Sequence, residues 1–328
     1  MVEKRTGETV KHGPYYPEGS MNKNTVTIIG DDKYEIALKC FPAESDKPLG
    51  SVVIIHGAVE HSDRYGAFIE FLNNNGFDAY AYDLRGHGRD TKFELLGSIR
   101  EKGGHKLLVS DAILVLTYVH DNNRGRKLVL FGHDLGAVIG QNALQYCDYP
   151  DVCFFCGTPY LSSMRGAYLD FMTSLVSTFK GKDHYSPYLS RLMNNHKSFS
   201  AISNRTAYDW LSRDNAVVGA YINDAYTGFL CTAAYYGDMI KLTQNACSPS
   251  GIKRIPRDMK IVFMSGSHDP VGDYGQGITT LFNIYQKLGF TEADCIIYDE
   301  ARHELLNETC SEDVMNDILS IIGAPAKN

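Results

Sequence analysis

The sequence predicts a three-layer α/β fold, a mostly parallel sheet with helices on both faces and one helical insertion. Three observations carry this. Short apolar runs alternate with helical stretches along the chain, which implies parallel strands joined by crossovers. The central runs, such as Ser51–Ile55 and Lys127–Phe131, are almost continuously apolar rather than alternating, as strands covered on both faces are. The spacing breaks once, because nearly 100 residues lie between Pro159 and Pro256, where a single crossover would suffice.

Taken in order, Thr25–Ile29 and Tyr34–Phe41 read as an antiparallel pair turned at Gly30-Asp31-Asp32. Strands follow at Ser51–Ile55, Asp78–Tyr82, Lys127–Phe131, Val152–Cys156, Lys260–Met264 and Asp294–Tyr298. Helices are expected at Arg64–Asn73, Lys106–His120 and Leu135–Cys147. The break divides the chain into a first core part, 1–159, a helical cap, 160–256, and a second core part, 257–328. The cap stretch is rich in Tyr, Met and Phe, including Tyr160, Tyr168, Tyr185, Tyr188, Tyr208, Tyr221, Tyr226, Tyr235 and Tyr236. Most of these are expected to pack cap on core, and some to line a substrate pocket. No internal repeat is evident.

The chemistry concentrates at strand ends. Gly132-His133-Asp134-Leu135-Gly136 follows the Lys127–Phe131 run and opens a helix at Ala137, the strand–turn–helix context of a nucleophile elbow. The elbow residue is Asp134, where Ser is usual. Asp269 lies in the loop after the Lys260–Met264 strand, and His303 in the loop after Asp294–Tyr298. Nucleophile, acid and histidine thus occur in the chain order of an α/β-hydrolase triad. The backbone N–H groups of Ala58, after the Ser51–Ile55 strand, and of Leu135, after Asp134, are the expected oxyanion donors.

The residues His56-Gly57-Ala58-Val59-Glu60-His61-Ser62-Asp63-Arg64-Tyr65, Asp83–Gly88 and Tyr208–Asp214, with the two triad loops, resemble the α/β-hydrolases of the monoacylglycerol lipase and lysophospholipase group. The similarity runs from about residue 25 to the C-terminus. It departs at the nucleophile, which is Ser in that group. The elbow Gly-His-Asp-Leu-Gly-Ala is instead similar to those of epoxide hydrolases and dehalogenases, which use Asp. Leu135, where many dehalogenases carry Trp, argues against dehalogenation. Val59 stands where epoxide hydrolases usually have the Pro of His-Gly-x-Pro.

Carboxylate and hydroxyl nucleophiles suit different electrophiles. Attack by a carboxylate on an ester would expel a poorer leaving group and form a mixed anhydride. Attack at an sp3 carbon opens an epoxide and leaves an alkyl ester on Asp134. Water activated by His303 can hydrolyse that ester, with Asp269 orienting the imidazole. Three readings stay open at this point. The first is such a hydrolase acting on a small apolar substrate, most plausibly an epoxide. The second is a lipase-like ester hydrolase whose Ser is replaced by Asp134, and the third a non-catalytic binding protein. His56 and His133 are expected to pack their loops, and Asp83–Gly88 to form a structural turn.

Composition excludes other classes. A net charge of −7 gives no basic footprint for nucleic acid. No run of 18 apolar residues exists, and residues 1–8 lack the apolar core of a signal peptide, so a cytoplasmic protein without an integral membrane segment is expected. The eight cysteines are scattered through apolar stretches and read as buried thiols, Cys153 and Cys156 included. The sequon-like Asn204-Arg205-Thr206 and Asn307-Glu308-Thr309 carry no meaning without secretion. Neither a metal nor an organic cofactor is required.

Overall fold

The computed structural model describes residues 24–99, 103–123, 125–193 and 205–323. The stretch read for a leader, residues 1–8, and Asn204 lie outside the described residues. Eight strands form one sheet: β1 (Asn24–Ile29), β2 (Glu35–Phe41), β3 (Gly50–Ile55), β4 (Phe77–Tyr82), β5 (Lys127–His133), β6 (Val152–Cys156), β7 (Lys260–Gly266) and β8 (Ala293–Tyr298). Their order is β1-β2-β4-β3-β5-β6-β7-β8. β2 runs antiparallel to β1 and β4, and every other pair is parallel.

The pleat sends successive side chains to opposite faces, so the continuous apolar runs feed two cores. Val53, Ile55, Leu130, Phe155 and Phe263 face one layer, formed by α2 (Gly104–Asn122), α3 (Leu135–Ala143) and α9 (Gln276–Lys287). Val52, Ile54, Val129, Phe131 and Phe154 face the other, formed by α1 (Gly66–Asn74) and α10 (Ser311–Ile322). Between β6 and β7 the chain builds α4 (Ser163–Lys180), α5 (Pro187–Met193), α6 (Asn215–Asn223), α7 (Ala233–Cys247) and α8 (Pro249–Ile252). Side chains cap four of these helices at their first turns: Ser162 for α4, Asp214 for α6, Thr232 for α7 and Ser248 for α8.

Each expected strand is present, within a few residues at its ends. Two helix boundaries differ. The helix expected from Arg64 begins with a 3-10 turn, Ser62–Tyr65, and becomes α-helical at Gly66. The helix expected to reach Cys147 ends at Ala143, where the Tyr146 and Cys147 N–H groups converge on the Ala143 carbonyl and tighten the last turn.

Candidate active site

The elbow follows from close approach. A Cβ added at Gly136 would lie 2.0 Å from the Ile55 carbonyl oxygen, and one at Gly132 would lie 2.6 Å from the Gly136 oxygen. Only glycine lets α3 begin this near β3 and β5. The chain therefore reverses at one residue, and Asp134 takes φ 48°, ψ −112°. A non-glycine residue held in such a region stores strain on the order of 1–3 kcal/mol. Asp134 is fixed by its N–H, which donates to the Cys156 carbonyl at 2.9 Å, and by its carbonyl, which accepts from Val138 N–H at 3.2 Å.

The loop after β3 brings Ala58 over the elbow, and Ala58 N–H donates to Asp134 Oδ2 at 3.0 Å. The other expected donor, Leu135 N–H, sits at the first residue of α3 and makes no hydrogen bond to this carboxylate. Below the loop lies a buried ionic network. Arg64 grips Glu304 with two hydrogen bonds, at 2.7 and 2.5 Å, and also pairs with Glu60. Glu60 Oε1 accepts from Gly57 N–H at 2.6 Å and from the Tyr65 hydroxyl at 2.8 Å. Burial raises the Glu60 carboxyl, but the Arg64 charge, the other nearby charges and the Tyr65 hydrogen bond together hold the group down at about 2. Since Glu304 follows His303 directly, this network ties the Ala58 loop to the His303 loop.

His303 and Asp269 meet as the sequence order requires. His303 Nδ1 lies 3.0 Å from Asp269 Oδ1, and Asp269 is wholly buried. Val271 N–H donates to the same Asp269 oxygen at 2.8 Å. Burial pushes His303 down, yet the Asp269 charge and hydrogen bond, with the Asp134 charge, carry it up to about 9. The imidazole is packed between Trp210 and His133, at ring-centroid distances of 5.1 and 4.6 Å. Gly157, at φ 59°, makes room: a Cβ there would lie 2.9 Å from His303 Cε1. Burial, then the neighbouring His303, pushes His133 down, so it is a neutral packing partner. His56 Nε2 accepts from Leu84 N–H at 2.9 Å, and Nδ1 lies 2.7 Å from the Gly57 carbonyl, which makes it a loop brace.

Asp134 and His303 open onto a cavity of about 1170 Å³ between the sheet's carboxyl ends and the inserted helices. Tyr160, Tyr188, Tyr208, Tyr221, Tyr235 and Tyr236 line it, whereas Tyr168, Tyr185 and Tyr226 do not. The apolar wall includes Leu169, Leu192, Met193, Phe229, Met239 and Ile240. Sequence reasoning missed the Glu60–Arg64–Glu304 network and Tyr274, which also lines the cavity. A charged triplet in otherwise buried loops was the available signal, but its pairing spans 240 residues of chain. Among the described residues no group of three His, Cys, Asp or Glu is placed to hold a metal ion.

Residues 46–310 match the family described as serine aminopeptidase, S33. The chain belongs to this family. It has the α/β-hydrolase fold. Among curated relatives it is similar to phospholipase YtpA of Bacillus subtilis, 22% identical over 280 residues, 83% of this chain and 94% of that protein. It is also similar to a monoglyceride lipase homolog of Monkeypox virus, 31% identical over 105 residues, 32% of this chain and 36% of that protein. The chain spans between a quarter and about a third of the length of the first curated relatives it matches. A carboxyl esterase of Bacillus coagulans, solved with glycerol, superposes with a TM-score of 0.81 at 23% identity, covering 92% of this chain and 98% of that one. In this member of a family described as serine enzymes, the elbow residue is aspartate.

Proposed function

We propose that this hydrolase acts at an alkyl carbon through an ester formed on Asp134, its substrate an epoxide borne on an apolar chain. The observation that carries the reading is the Ala58 N–H to Asp134 Oδ2 bond at 3.0 Å. In a serine-type site that amide must await a substrate carbonyl, whereas here a carboxylate oxygen already occupies it. When Oδ1 attacks carbon, the ring C–O bond breaks and its oxygen takes up the proton that the His303 imidazolium gives up. Oδ2 then becomes the carbonyl oxygen of the new ester, already against the donor that would hold its charge when water adds. The net reaction consumes one epoxide and one water and yields a diol.

His303 fits the second step. At rest it is an imidazolium at neutral pH, held up partly by the Asp134 charge. Alkylation removes that charge, which lowers His303 and frees a base for the hydrolytic water. Residues 160–256 act in this reading as the cap that excludes water. The cavity exceeds the usual ligand pocket of about 300–1,000 Å³, which leaves room for a longer apolar chain than a small epoxide needs. With all eight cysteines free, a reducing compartment such as the cytoplasm suits the protein.

The test is a single turnover of a long-chain terminal epoxide in heavy-oxygen water, with enzyme in excess. The label should enter the Asp134 carboxyl and not the first diol. Label in the first diol would mean direct attack by water and would end this reading. A second reading draws on the lipase and phospholipase relatives. It takes Asp134 to stand in place of a serine in an ester hydrolase, and predicts ester turnover by Asp134→Ser with epoxides inert in both forms. A third, a binding protein, predicts ligand-induced stabilisation without turnover of either class.

A further inference from the structure

We propose that His87 is a positioning residue that aims the Ala58 amide at Asp134 by locking the strained peptide of Val59. This rests on reading Ala58 as the oxyanion donor. Val59 has φ 52°, a left-handed conformation that a β-branched residue adopts only when its surroundings enforce it. Both of its backbone polar groups are clamped. Its N–H donates to His87 Nε2 at 3.2 Å, and its carbonyl accepts from Gly228 N–H at 2.9 Å and the Tyr221 hydroxyl at 3.3 Å.

His87 is built to accept. It is wholly buried, and Nδ1 sits 3.0 Å from the Arg85 carbonyl, which fixes the proton on Nδ1 and leaves the lone pair on Nε2. Burial, then the nearby His56, lowers His87 to about 3, so the ring stays neutral and Nε2 stays an acceptor. The turn that carries it has no slack, because a Cβ at Gly88 would lie 2.0 Å from Asp83 Oδ2. From the inserted helices, the Tyr235 hydroxyl on α7 lies 3.0 Å from the same Nε2 and holds the ring plane.

Ala58 N–H lies between two pinned peptides. Gly57 N–H is held by Glu60 on one side, and Val59 N–H by His87 on the other. Without His87, Val59 is free to relax to a negative φ, and the peptide that follows Ala58 turns with it. The Ala58 donor then loses its aim at Asp134, although His303 and Asp269 stay in place.

The test is backbone amide NMR of the isotopically labelled full chain, with Asp134→Ala marking where the Ala58 resonance falls once the carboxylate is gone. His87→Ala should move the Ala58 resonance towards that position and speed its hydrogen exchange by about tenfold or more, as loss of one ordering hydrogen bond allows. His87→Gln, whose side-chain carbonyl can accept, should restore both. The downfield His303 Nδ1–H signal should persist in every variant as evidence of an intact fold. If His87→Ala does not fold, His87→Asn, one methylene too short to reach, must show the same loss. An unmoved Ala58 resonance, or equal shifts in the Ala and Gln variants, overturns the proposal. The signature needs no substrate, so its failure is separate from a failure of the Asp134 chemistry.

Discussion

Arg64→Met offers the sharpest test of the network beneath the site. The guanidinium is buried, and its loss leaves Glu60 and Glu304 facing each other without a cation. Removing one partner of a buried ion pair costs about 3–5 kcal/mol. A second route gives a similar figure. Burial alone would raise Glu60, but Arg64, the strongest of several lowering neighbours, helps bring it from 4.5 to about 2, and a carboxyl lowered that far contributes about 3 kcal/mol in all. The sign follows from the lowered value. The contribution is present above about 4.5 and is lost as pH falls towards 2. Urea denaturation at pH 7 should therefore show Arg64→Met destabilised by about 3–5 kcal/mol, with a melting temperature lower by about 4–7 °C. At pH 3 the difference from the parent chain should be clearly smaller. A loss under about 1 kcal/mol at pH 7, or an equal loss at both pH values, would refute the reasoning.

Other variants test neighbouring parts of the argument. In Asp269→Asn the His303 titration, followed by imidazole NMR, should fall well below the parent value of about 9. Because His303 is raised in the folded state, the stability lost should be largest below about 6.5 and vanish as pH rises through about 9. Asp134→Asn should also lower the His303 titration, by less, since it removes a charge and leaves the Asp269 hydrogen bond; an unchanged titration would show that Asp134 does not hold the imidazolium. Gly136→Ala should yield no soluble folded protein, because its Cβ would meet the Ile55 oxygen at 2.0 Å; a cooperative melt at the parent temperature would contradict the account of the elbow.

Legibility in the sequence tracked how local each signal was. β3, β5, β6 and β7 were visible because burial on both faces forces a continuous apolar run, and the elbow because its glycines and strand–turn–helix rhythm lie within a few residues. Asp134, His303, Asp269 and Ala58 were each nameable for the same reason: each sits just past a strand's carboxyl end. The contact between Ala58 N–H and Asp134 Oδ2 was not visible, since it crosses 76 residues of chain. His87 read as part of a structural turn, and only its position against Val59 and Tyr235 gives that turn a further role. The tyrosines that line the cavity differ from those that do not only by helix placement, which composition does not encode.

The strand order has a consequence for how the molecule comes into being. Synthesis supplies the Ala58 loop, the Asp134 elbow and all the inserted helices before β7 exists, so Asp134 precedes the two residues that face it across the site. Asp269 and His303 arrive only with β7 and β8, added at one side of the sheet. The Arg64–Glu304 clasp must then close over 240 residues, a slow event for a folding chain because long loops are entropically dear. A ribosome-bound or truncated chain ending before β7 would thus hold a carboxylate with no base beside it. The site is completed late and all at once, when the final strands and α10 dock.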